Sequence, residues 1–69
     1  MTFAMFLKTN QHVGIMRYTR LRTATKHIRF EAAAKRDCTL VDLRTMEVIA
    51  AFGEPIDVEL ELVKRALRT

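Results

Sequence analysis

Three side chains, His12, His27 and Cys38, are the soft metal ligands of this chain, and the two imidazoles are also its groups best suited to move a proton near neutral pH. They stand fifteen and eleven residues apart, whereas zinc sites are assembled from short CxxC or HxxxH steps, so no metal is expected. Serine is absent, which excludes a Ser-His-Asp arrangement, and with Gly14 and Gly53 as the sole glycines there is no glycine-rich loop to cradle a phosphate. Asp57, Glu59 and Glu61 cluster in what reads as the start of a helix, where carboxylates offset the helix dipole, and paired-acid chemistry is not needed to explain them. One catalytic reading survives: a metal-independent ribonuclease with His12 or His27 as general acid/base and Tyr18 and Arg20 near the phosphate. A chain of 69 residues leaves little room for the cleft this would require, so the protein reads as non-enzymatic and free of cofactors.

Charge is the stronger signal. Residues 1–37 carry eight bases against two acids, net +6, and residues 38–69 carry four bases against six acids, net −2. Such a split suits either a polyanion-binding front half or two halves that attract each other. Tyr18 and Arg20 fall on one face of the second strand, and Arg22, Lys26 and Arg29, with Arg36 further on, continue that character along the helix that follows. Cations that release counterions beside a tyrosine that can stack on a base make these six residues the candidate nucleic-acid surface. None of the RNA-recognition aromatic, KH, zinc-finger or helix-turn-helix patterns accompanies them.

The element that positions these groups is Leu21 to about Arg36, LRTATKHIRFEAAAKR. At 100° per residue Leu21, Ala24, Ile28 and Ala32 share one narrow arc, and Arg22, Lys26, Arg29 and Arg36 share another about a quarter turn away. The pattern predicts a helix with one dry and one cationic side, Ile28 as its anchor, Thr23 or Thr25 as N-cap and Lys35 and Arg36 at its C-terminal end. Phe30 points away from Ile28 and needs a cover of its own.

Ahead of this helix, Thr2–Lys8 and His12 to about Arg20 read as a hairpin around Thr9, Asn10 and Gln11, with Gly14 marking a bulge. Behind it, Cys38–Arg44 and Glu47–Phe52 read as a second hairpin around Arg44, Thr45 and Met46, a turn in which a left-handed residue is wanted and glycine is missing. After Gly53 and Pro55, the residues Ile56, Leu60, Val63 and Leu67 form an a/d-like helical stripe, with acids early and bases late and Glu61 four residues before Arg65. Strict alternation of Ile56, Val58, Leu60 and Leu62 is the competing strand reading, which Leu and Glu disfavour.

The expected architecture is one small α+β domain over residues 1–69, ordered ββαββα, a four-stranded and mostly antiparallel sheet with two helices. Its strands are apolar on both faces: Phe6 opposes Phe3 and Met5, Val41 opposes Leu40, and Ile49 opposes Val48. Either the helices divide between the faces or a second chain covers the bare one, and a homodimer is expected, with Phe6, Met16, Phe30 and Ile49 as interface candidates. A single cysteine forms no internal disulfide and points to a reducing compartment, the cytoplasm. The apolar run Met1 to Leu7 lacks the flanks of a signal peptide and is too short to span a bilayer, so no membrane is expected. The function expected is that of a protein-interaction or assembly module, its partner itself or another protein. Binding of a nucleic-acid backbone through the cationic strand-helix surface is the alternative.

Overall fold

The computed structural model describes residues 2–68 and places β1 at Phe3–Thr9, β2 at His12–Tyr18, α1 at Leu21–Ala33, β3 at Asp37–Asp42, β4 at Glu47–Phe52 and α2 at Val58–Leu67. The strands form one sheet in the order β2-β1-β3-β4 with every neighbouring pair antiparallel, so the protein is α+β with the expected element order. Because β1 runs against both of its neighbours, β2 and β3 run the same way, and α1 carries the chain over β1 from one to the other.

Alternation along β1 divides the core in two. Phe3 and Met5 pack with Cys38 and Leu40 of β3 under Ala24 and Ile28 of α1, all of them buried. On the opposite face Ala4, Phe6 and Val41 are buried beneath Ile56, Val58 and Leu62, which α2 and its lead-in bring over the sheet. The two helices thus take one face each, which explains why the central strands are apolar on both sides. Phe6 is fully covered by its own chain and is corrected from an interface candidate to a core residue. Burying side chains such as Phe6, Met5 and Ile28 contributes roughly 1.5–3 kcal/mol each.

Several local features depart from the sequence reading. The β1–β2 register runs without interruption from Phe3 opposite Tyr18 to Thr9 opposite His12, so Gly14 marks no bulge, and Asn10 takes the left-handed position of the turn at φ 53°. The bulge lies in β4: Leu40 faces Ala50 while Val41 faces Val48, leaving Ile49 as the extra residue. The β3–β4 turn, in contrast, follows the reading: Met46 supplies the left-handed residue at φ 60°, and the turn is wider than a three-residue loop because β3 ends at Asp42 and the Met46 N–H closes on the Asp42 carbonyl at 2.7 Å.

At the start of α1 the N-cap is Arg20, which makes no capping bond. Thr25 lies inside the helix and donates its hydroxyl to the Leu21 carbonyl at 2.8 Å. At its end, the N–H groups of Lys35 and Arg36 return to the carbonyls of Ala32 and Glu31 with Lys35 at φ 60°, a Schellman closure in which lysine occupies the place usual for glycine. Arg36 therefore lies beyond the helix.

Helix α2 starts two residues later than its stripe implies, with the Asp57 carboxylate accepting the Leu60 N–H at 3.1 Å. That start sets its phase. Val58 and Leu62 face the sheet, whereas Leu60, Val63 and Leu67 of the expected stripe are 48, 55 and 81% exposed. No helix among the described residues is long and apolar enough to cross a membrane.

Candidate functional site

The six residues of the expected nucleic-acid surface separate into four settings. Arg22, Lys26 and Arg29 stay together, lining one shallow cleft along α1 with Leu21 and Thr25, and none of the three makes an ion pair among the described residues. Tyr18 lies on the other flank of α1. Its hydroxyl is hydrogen-bonded to His27 Nδ1 at 2.8 Å, and the two rings meet edge to face at 5.2 Å. Burial, and then the Glu31 carboxylate, raise the Tyr18 phenol above its ordinary range. Arg20 occupies the link between β2 and α1, and Arg36 is paired with Glu31. A tyrosine bonded on its edge by histidine and an arginine neutralised by glutamate are poorly placed for stacking and phosphate contact.

The remaining interface candidates separate as well. Met16 and Phe30 line one apolar groove of about 710 Å³ between β2 and α1, with Phe30 70% exposed. Ile49 lies in the bulge of β4, at the other edge of the sheet. Among the described residues Phe30 remains largely uncovered.

The structure brings Tyr18 and His27 together but leaves His12 at the far end of β2, opposite Thr9, so of the two candidate acid/base histidines only His27 stands beside Tyr18. Cys38 is fully buried and directs its thiol at the Ile28 carbonyl, 3.9 Å away. Burial first, then the Glu31 and Asp37 carboxylates, push that thiol up, which suppresses the thiolate needed for nucleophilic attack. Among the described residues no three of His, Cys, Asp and Glu cluster as metal ligands would.

A second cationic region was not anticipated. The seam between the edge strand β2 and α2 holds Arg17, Arg65 and Arg68, with Lys64 and Arg44 adjoining. The expected Glu61–Arg65 contact is absent: Glu61 instead lies 3.6 Å from Lys64, and Arg65 has no ion pair among the described residues. The signal available in the sequence was parity, since Arg17 alternates with Tyr18 and so faces the side opposite α1. It becomes informative only once α2 is known to lie on that side. The chain matches no known protein family, and no curated protein or solved structure is similar to it.

Proposed function

We propose that the protein is a non-catalytic assembly module that works as a homodimer in a reducing compartment, the cytoplasm. The observation that carries this reading is the outer face of α2, where Leu60, Val63 and Leu67 stand at the a-d-a spacing of a helix-helix seam and remain exposed. A helix of ten residues that buries none of them has apolar surface in excess of what its own sheet takes up.

The occupant that fits best is a second copy of the same helix in antiparallel orientation. A two-fold axis near Val63 runs the two copies of α2 antiparallel, which brings the acidic start of one helix towards the C-terminal end of its mate and opposes the two helix dipoles. Strand addition at the free β4 edge is disfavoured, because the bulge at Ile49 bends that edge out of register for pairing. Val48, exposed on the same face of the sheet as α2, extends the apolar area.

Light scattering coupled to size exclusion tests this directly. The wild-type chain should have twice the 8.0 kDa monomer mass at about 100 μM, a concentration that detects any dimer of micromolar affinity. The double variant L60E/V63E should return the mass to 8.0 kDa while keeping the circular dichroism of the fold, because neither side chain is buried. A monomeric wild type, or a double variant that stays dimeric, ends the proposal.

A further inference from the structure

The apolar stripe of α2 leaves the opposite flank of that helix unexplained, and there the chain has built a groove. Between the β2 edge and α2 lie clefts of about 160 and 180 Å³ that share Ile15 and Arg65 as walls, and the second of these shares Arg17 and Leu43 with a third cleft that reaches Arg44. Through these shared walls the three clefts follow one another along the seam, and together they make a track. Arg68 and Arg65 stand along the helical wall, and Arg17 on the strand leads to Arg44 at the far end. The stretch of β2 from His12 to Arg17 alone spans about 17 Å at the usual rise of a strand.

We infer that this seam is a binding groove for the sugar-phosphate backbone of a single-stranded nucleic acid. Four guanidinium groups, those of Arg17, Arg44, Arg65 and Arg68, border the track without an ion pair among the described residues, and the one carboxylate in its walls, Glu61, is engaged by Lys64. Guanidinium forks match phosphate oxygens in pairs, and all four residues that line the track without a counter-charge are arginine. Ile15 and Leu43 give the floor an apolar character that suits the faces of sugars. The groove is enclosed by a strand on one side and a helix on the other. A cleft bounded in this way suits an extended single strand laid lengthwise between the two walls.

Nothing in this groove draws on the stripe of α2: Arg65 and Leu62 project from one side of the helix, Val63 and Leu67 from another, so the two surfaces can be tested separately. Anisotropy titrations with fluorescein-labelled (dT)12 and (rU)12 supply the probe, and the pair reports whether deoxyribose or ribose is preferred. Each phosphate neutralised on a single strand contributes about −0.7 to the slope of log K against log salt, so four arginines predict a slope near −2.8. The variant R17A/R65A/R68A should lose about tenfold or more in affinity at 50 mM salt and reduce the slope by about two. The variant R22A/K26A/R29A, which strips the α1 cleft, should change affinity by less than about threefold.

All three seam positions are exposed, so the substitutions should leave the fold intact, with circular dichroism as the check. Should the triple variant fail to fold, R68A alone, at the C-cap of α2, must still reduce the slope by about 0.7. The inference is overturned by any of three results: neither oligonucleotide binding at 50 mM salt, the α1 variant costing as much as the seam variant, or polyglutamate of equal charge binding as tightly as the oligonucleotides.

Discussion

Helix α1 and helix α2 are both amphipathic and each covers one face of the same sheet, yet they are held in opposite ways. Ala24 and Ile28 of α1 are completely buried, while its N-cap Arg20 makes no capping bond and neither its first turn holds an acid nor its last a base. Helix α2 has an Asp57 cap, Glu59 and Glu61 in its first turn, and Lys64 and Arg65 in its last, but no buried residue. One helix is kept by packing and the other by its ends. The small residues of α1 let its backbone come close to the sheet, so Ile28 reaches into the space between β1 and β3. Val58 and Leu62 of α2 only rest on the face they cover, and the rest of that helix is left to form surfaces.

Removing the anchor of each helix puts the comparison at its greatest risk. Ile28→Ala should cost about 2–5 kcal/mol, comparable to the whole stability of so small a domain, and leave much of the protein unfolded at 37 °C. Leu62→Ala, at a half-covered site, should cost only about 1–2 kcal/mol and keep a cooperative transition. Urea denaturation measures both. Equal costs would mean that α2 is as deeply committed to the fold as α1.

The next effect concerns the link that carries the chain from β4 to the face of α2. Gly53 has φ 77°, and a Cβ there would run into the Asp37 carboxylate, which accepts the Glu54 N–H at 3.0 Å. Gly53→Ala adds left-handed strain of about 1 kcal/mol to the displacement of that carboxylate, so a total loss near 2 kcal/mol is expected, read as a fall in Tm. Amide exchange should show α2 opening before α1. Uniform loss of protection in both helices would place the link inside the main cooperative unit.

The contrast also marks what could be read in advance. Alternation along β1 and the arc around Ile28 were legible because a strand or helix that touches the core at every turn writes its period into its residues. The phase of α2 was not: Ile56, Leu60, Val63 and Leu67 are its most apolar stripe, and the inward pair was instead decided by the Asp57 cap and by Ile56 already lying on the sheet. The bulge at Ile49 has the same character. It arises from how Leu40 and Val41 pair across to β4, whereas Gly14 offered only a local hint. Asn10 is an ordinary left-handed residue, but Lys35 and Met46 adopt that conformation because the helix closure and the hairpin around them demand it. The seam groove was hidden for the most general reason, since its arginines come from β2, the β3–β4 turn and α2, three segments that no local pattern connects.

The smallest expected effect tests the ends of the helices and runs in both directions. Arg20 already has the extended backbone of an N-cap, φ −121° and ψ 126°, so an acceptor side chain there can reach the free N–H groups of the first turn without rearrangement. Arg20→Asp supplies that acceptor and a negative charge at the positive end of the dipole, and should stabilise the protein by about 0.5–1 kcal/mol, roughly 2–8 °C in Tm. Asp57→Ala removes the corresponding group from α2 and should cost about 1 kcal/mol, expressed as loss of amide protection in α2 alone. Because α1 lacks a cap and α2 has one, the two substitutions must change stability with opposite signs. Arg20→Asp proving neutral would show that packing at Ile28 already saturates the stability of α1, and the division between a packed helix and a capped one would then lie in Ile28 alone.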